Sequence, residues 1–150
     1  MVIKKYILVC FIFSLCYSQN WIQNQRTEKQ FKEAVSNYNS GRYATSVIIL
    51  NKIIDSGFES FHEQALLLLL KSQVALNKSE EAKKTAKIFF SDYPSSPFLE
   101  YAMDSIGDLF VNNANYESAY RMFVRSKELS NGSERKVEID KKLLRLIIIS

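Results

Sequence analysis

The chain has 150 residues, of which 47% are hydrophobic and 24% are charged, with a formal net charge of +4. These values are typical of one globular domain and argue against intrinsic disorder. Only 4 Gly and 2 Pro are present, which predicts long regular elements joined by short connections. We therefore expect an all-α protein and not a β-sandwich, which needs many turns.

The N-terminal residues 1–18 have the pattern of a secretory signal peptide. Lys4 and Lys5 precede the apolar run Tyr6–Leu15, and the small residues Cys16 and Ser18 occupy positions −3 and −1 of a cut after Ser18. Because the run is about half as long as a membrane span requires, we expect cleavage after Ser18 and export. The first alternative is an uncleaved signal that anchors the protein in a membrane.

The second alternative is lipidation of Cys16, which would attach the protein to a membrane surface. A bulky Leu15 directly before this cysteine departs from the usual lipidation pattern. Cleavage would remove both Cys10 and Cys16, and the mature chain would then form no disulfide and no cysteine-ligated metal site. It would keep 18 basic and 16 acidic side chains, a net charge of +2, which does not favour nucleic-acid binding.

Beyond a short extension at 19–26, hydrophobic periodicity predicts seven helices. Their predicted ranges are 22–39, 43–55, 59–76, 79–92, 97–112, 116–130 and 133–149. Ser79 and Ser133 are expected to cap helix starts, and Gly57 and Gly132 to lie at helix ends. The consecutive leucines 66–70 predict a helix that is buried on several faces.

One pattern of large and small side chains recurs along these helices. Its clearest copy consists of Met103, Ile106, Gly107, Phe110, Ala119 and Phe123. Gly107 and Ala119 would let the two helices approach closely, and Phe110 and Phe123 would fill the space between helix pairs.

Two weaker copies precede the clearest one, at spacings of 37 and 36 residues between second-helix positions. The middle copy consists of Leu66, Leu69, Leu70, Gln73, Ala82, Ala86 and Pro94. The first copy consists of Phe31, Ala34, Val35, Tyr38, Gly41, Tyr43, Ser46, Leu50 and Ile53.

These spacings resemble the signature of the tetratricopeptide repeat family. The resemblance covers about 27–149 and implies a right-handed α-solenoid of about three helix hairpins. The implied repeats are 27–58, 60–96 and 97–132, followed by an unfinished or capping helix over 133–149. With the export signal, the chain is similar to bacterial envelope members of the family, some of which act in outer-membrane assembly. The resemblance implies a non-catalytic periplasmic scaffold that binds protein or peptide partners, without cofactor or nucleic acid.

In this family, ligands lie in a groove lined by the first helix of each repeat. The positions carried over onto this chain are Tyr38, Asn39, Gln64, Lys71, Ala75, Tyr101, Asp104, Asp108 and Asn112. The mixture of aromatic, amide and charged groups suits an extended peptide or a helix. The groove lacks the several Lys and Arg residues that would bind a partner's C-terminal carboxylate. The alternative interpretation is an inner surface that is merely solvated.

The sequence contains no recognisable catalytic or metal-binding constellation. His62 is the only histidine, and one histidine without a cysteine does not make a zinc site. Asp104 and Asp108 share one helix face, but no third acid or histidine at useful spacing joins them. We expect an acidic patch that faces solvent or a peptide, and no enzyme activity.

The last predicted helix ends in the almost continuous apolar run Leu143–Ile149. A terminal capping helix should present a polar outer face. The run therefore predicts the first helix of a fourth pair, in the N-terminal module of a longer envelope protein with a solute-binding or enzymatic domain downstream. The alternative is a capping helix that folds back on the third repeat or mediates self-association.

Overall fold

The computed structural model describes residues 22–57 and 59–149, and the signal peptide predicted at 1–18 lies outside them. Within these ranges the chain forms α-helices, one short 3-10 helix and no strand, which confirms the all-α prediction. No helix in this part of the chain has both the length and the apolar character needed to cross a membrane.

The helical boundaries agree with the predicted ones to within three residues. Residues 22–39 form α1, followed by α2 (Tyr43–Asp55), the 3-10 helix (Glu59–Phe61), α3 (His62–Ala75), α4 (Ser79–Asp92), α5 (Leu99–Asn112), α6 (Tyr116–Leu129) and α7 (Ser133–Ile149). We call α1, α3 and α5 the first helices, and α2, α4 and α6 the second helices.

The turn from each first helix to its second helix has the same structure three times. Its central residues are Gly41 (φ 73°), Asn77 (φ 55°) and Ala114 (φ 55°), all in the left-handed region. The next N–H in each turn bonds to the carbonyl five residues earlier, in the pairs Arg42–Asn37 (2.8 Å), Lys78–Gln73 (2.9 Å) and Asn115–Phe110 (2.8 Å). This arrangement is a Schellman motif. Its recurrence shows that the three helix pairs are built alike.

The turns also correct the sequence register of α1 by one residue. They make Asn37 the equivalent of Gln73 and Ala34 the equivalent of Leu70, where Tyr38 and Val35 were predicted. Ala34 is 0% exposed because α2 approaches it closely, with Ser46 Oγ donating to the Ala34 carbonyl at 3.0 Å. A larger side chain at this contact would separate the helices.

The hydrophobic core consists of three successive clusters, and each cluster joins three consecutive helices. The first joins α1, α2 and α3, the second joins α3, α4 and α5, and the third joins α5, α6 and α7. In α3, Leu66, Leu69 and Leu70 are all buried, and this helix packs against α2, α4 and α5. The prediction that the leucine-rich helix is buried on several faces is therefore confirmed.

Three of the predicted helix-end roles are wrong. Lys78 is the N-cap residue of α4, and Ser79 instead hydrogen-bonds to Asn113 of the next turn, with Nδ2 donating to Oγ at 2.9 Å. Gly132 belongs to the start of α7, where its carbonyl accepts from Lys136 N–H at 3.0 Å, so Ser133 lies inside the helix and does not cap it. A side-chain cap that the pattern did not predict is Asn115, whose Oδ1 accepts from Ser118 N–H at 3.1 Å.

Candidate functional site

A polar cavity of about 240 Å³ opens between the three first helices. It is lined by Tyr38, Lys71, Val74, Ala75, Asp104, Ser105, Asp108 and Asn112. Six of the nine predicted groove residues are therefore brought together at one place. The repeated turn explains this, because it sets α3 and α5 in the same register and makes Lys71 equivalent to Asp108 and Ala75 equivalent to Asn112.

The other three predicted groove residues do not line this cavity. Asn39 is exposed at the end of α1, and Gln64 is half-buried near the start of α3. Tyr101 lines a second cavity of about 320 Å³, together with residues that include Glu100 and Arg135. Seven of the nine groove positions thus lie at one of the two cavities, and Asn39 and Gln64 lie at neither.

The two carboxylates on α5 both line the cavity, but they are paired with cations that the sequence did not predict. Lys142 Nζ on α7 lies 2.9 Å from Asp104 Oδ1 and 2.8 Å from Asp108 Oδ1. Arg135 Nη2 lies 2.8 Å from Asp104 Oδ2, and Asp104 is only 7% exposed. α7 thus neutralises the acidic pair from a distant part of the sequence.

Three cations lie around Tyr101 and the acidic pair, and Lys71 is the only basic residue among those that line the first cavity. Arg135 and Lys142 come from α7, and Lys71 comes from α3. The guanidinium of Arg135 lies 4.8 Å from the centre of the Tyr101 ring, and Lys71 Nζ lies 5.8 Å from the same point. Both distances are within the range of cation–π attraction.

Burial shifts the protonation equilibria of the two charged groups that occupy equivalent positions in the cavity. It raises the pKa of Asp108, against the opposing effect of the hydrogen bond from Lys142. Burial lowers the pKa of Lys71, and the nearby positive charge of Arg135 lowers it further. Within residues 22–57 and 59–149, Lys71 forms no ion pair. A ligand oxygen beside Lys71 would therefore meet a donor that has no anionic partner of its own in this part of the chain.

The histidine makes a structural contact between helix ends. His62 Nδ1 lies 2.7 Å from the hydroxyl of Tyr93, which follows α4. Among the residues that the structure describes, no group of three or more His, Cys, Asp or Glu is placed to hold a metal ion.

No protein-family model matches this chain, and no curated protein matches its sequence. Function has to be inferred from the residues of the two cavities and of α7.

Proposed function

We propose that the protein is a non-catalytic scaffold of the bacterial cell envelope, and that it binds a protein or peptide partner in the cavity between α1, α3 and α5. The observation that carries this proposal is the meeting of six predicted groove residues, from three successive first helices, at one cavity. Binding would use a preformed surface, with no bond made or broken.

The finer fold that we propose is a right-handed tetratricopeptide solenoid. Three identical turns, centred on Gly41, Asn77 and Ala114, support it, since their spacings of 36 and 37 residues are close to the repeat length of that family. The buried small residues Ala82 and Ala119 in equivalent positions of α4 and α6 also support it.

The position of α7 is consistent with a further first helix in this solenoid. Ile139 and Leu146 follow Ala102 and Leu109 of α5 by 37 residues, and all four side chains are buried. α7 packs mainly against α6, whereas α5 packs against both helices of the second pair, so the two arrangements agree in register and differ in detail.

The lining of the cavity favours a polar segment of a partner. Lys71 offers a cation, Asn112 offers an amide, and Tyr38 offers a phenol whose pKa is raised by burial. A peptide with a carboxylate or carbonyl oxygen at Lys71 and a hydrogen-bonding group at Asn112 would satisfy these side chains.

Export to the periplasm is proposed from residues 1–18 alone, where Lys4 and Lys5 precede the apolar run. Association with the outer membrane would follow if Cys16 carried a lipid.

The test is partner capture by tagged protein in an envelope fraction from the source cells. We expect Lys71→Met combined with Tyr101→Leu to reduce capture of a specific partner at least about tenfold, since both side chains border the cavities. The matched control is Lys87→Met with Tyr120→Leu, which makes the same changes at exposed positions of α4 and α6. Circular dichroism must show that both double variants are folded. Equal capture by wild type and the folded Lys71/Tyr101 variant would contradict the proposal.

A further inference from the structure

Buried polar atoms without a partner are concentrated at the second cavity, the one of about 320 Å³ that Tyr101 lines. In the described residues, four buried side-chain polar atoms have no hydrogen-bond partner in the protein. Two of them, Glu100 Oε2 and Arg135 Nε, belong to residues that line this cavity, and a third is the hydroxyl of Ser130, which lies between two lining residues. Because buried polar atoms are nearly always hydrogen-bonded in folded proteins, their concentration here indicates a site for a hydrogen-bonding occupant.

Glu100 supplies an acceptor to this cavity. It lies in the first turn of α5 and, within residues 22–57 and 59–149, forms no ion pair. Its backbone is fixed against α6, because Ser126 Oγ donates to the Glu100 carbonyl at 2.7 Å. The residue is half-buried, so its carboxylate has lost part of its hydration without gaining an ionic partner. A donor in the cavity would supply the missing hydrogen bond.

Arg135 supplies a donor, and its other contacts fix its position. Its terminal nitrogens pair with two carboxylates, at 2.8 Å to Asp104 and at 2.6 Å to Glu138. Its guanidinium lies 4.8 Å from the centre of the Tyr101 ring. These contacts balance the charge of the guanidinium but leave its Nε–H without an acceptor. An acceptor in the cavity would complete the hydrogen bonds of a group that is already neutralised.

The charges and the walls of the cavity decide which occupant fits. A carboxylate or phosphate would face the unpaired Glu100 carboxylate, and Arg135 has no uncompensated charge to attract it. An ammonium group would pair with Glu100 but would leave the Arg135 Nε–H unsatisfied. A neutral amide has both a donor N–H and an acceptor carbonyl, so it forms charge-assisted hydrogen bonds with both groups. The apolar side chains in the wall suit an aliphatic chain attached to the amide, and they are Pro97, Leu99 and Leu129.

We propose that the second cavity binds a neutral amide on a short aliphatic chain, such as the side chain of a glutamine in a partner protein. Glu100 accepts from the amide nitrogen, and Arg135 Nε donates to the amide oxygen. Both atoms are shielded from solvent, so the occupant reaches them after a small shift of the side chains that cover them. The site needs no occupant in the first cavity, and its test is therefore independent of the proposed function.

Three small probes of equal length and different charge test this assignment: butyramide, butyrate and butylammonium. Each is titrated into the purified full chain while the backbone amide NMR signals of residues 96–101 and 129–135 are followed. We expect butyramide to bind with a dissociation constant at least about tenfold below those of the two charged probes, because each charged probe leaves one buried polar atom unpaired. Tighter binding of a charged probe, or equal binding of all three, overturns the proposal. No shift of these signals with any probe also overturns it, and means that the cavity holds water alone.

The variant Glu100→Gln tests the role of the carboxylate. It keeps the size of the side chain and an acceptor oxygen, so butyramide should still bind, while butyrate no longer meets a like charge. We expect the ratio of the butyrate to the butyramide dissociation constant to fall at least about threefold. Glu80→Gln is the matched control, because it makes the same change in the first turn of α4, where the carboxylate is exposed, and should leave the ratio unchanged. Circular dichroism shows whether both variants are folded. An unchanged ratio in folded Glu100→Gln overturns the assignment of Glu100.

Discussion

Gly107 on α5 and Phe123 on α6 are packed so closely that no larger residue fits at position 107. A Cβ added to Gly107 would lie 2.6 Å from Phe123 Cδ1, well inside van der Waals contact. The ring is 1% exposed and belongs to the core cluster that includes Ala119 and Ile139, so it has little room to move. This contact determines how closely α5 and α6 approach each other.

The first prediction concerns this contact. Gly107→Ala should lower the free energy of unfolding by about 1–2 kcal/mol. The clash of the added Cβ with the Phe123 ring destabilises the fold by more than the higher helix propensity of alanine stabilises it. Urea denaturation measures the loss. Equal stability of Gly107→Ala and wild type would show that the ring can move aside.

The second prediction concerns the turn between α5 and α6. Ala114 has φ 55°, a conformation that costs energy for any residue with a Cβ and little for glycine. Ala114→Gly should therefore stabilise the protein by about 0.5–1 kcal/mol, measured as a higher melting temperature. Gly41→Ala places the reverse substitution in the equivalent turn and should destabilise by a similar amount. Destabilisation by Ala114→Gly would contradict the shared turn geometry.

Sequence alone predicted the seven helices because apolar periodicity and turn residues are local signals. It also predicted that Gly107, Ala119 and Phe123 are in the core, since small and aromatic residues at these spacings have few other uses. The register of α1 was wrong by one residue because Ala34 and Val35 are both plausible at the close contact. Only the distance to Ser46 decides between them.

The ion pairs of the site were not predictable in the same way. Lys142 is 38 residues from Asp104, and a search for partners on the same helix does not reach it. The 37-residue spacing was a usable signal, because it assigns α7 to the position beside α5. The spacing predicts that α7 lies beside α5. It does not predict which basic side chain of α7 contacts Asp104 and Asp108.

The third prediction tests the cost of breaking this pair. Asp104→Asn should lower the free energy of unfolding by about 2 kcal/mol, because Arg135 and Lys142 would keep only the more exposed carboxylates Glu138 and Asp108. Glu80→Gln removes a carboxylate from the exposed pair with Lys83 and should leave stability nearly unchanged, because solvent screens this pair. Chemical denaturation of the two variants compares them directly. Similar losses of unfolding free energy in the two variants would mean that the packing of α7 does not depend on Asp104.

The fourth prediction concerns the pH dependence due to Lys71. Its pKa is lowered in the folded state by burial, so the unfolded chain binds the extra proton more readily. The charged form therefore destabilises the fold below the folded-state pKa, and this cost disappears as the pH rises toward the unfolded value of 10.5.

Lys71→Met should accordingly be more stable than wild type at pH 7, by at most about 1 kcal/mol after allowance for solvent screening. The difference should decrease as the pH rises from the lowered folded-state pKa toward 10.5. Urea melts of both proteins between pH 7 and 11 measure it, with Lys87→Met as the control for removing an exposed charge. A difference that grows with pH would contradict the direction of the shift.

The cavity between the first helices is the centre of the functional proposal, and site-specific photocrosslinking in cells tests it most directly. A photoreactive residue at Ala75 or Asn112, both exposed at the cavity, should give a discrete crosslinked species with one partner. The same residue at Lys87 or Arg125, exposed on the second helices, should not give that species. Crosslinking of the partner only from Lys87 or Arg125, or equally from all four positions, would contradict binding in the cavity.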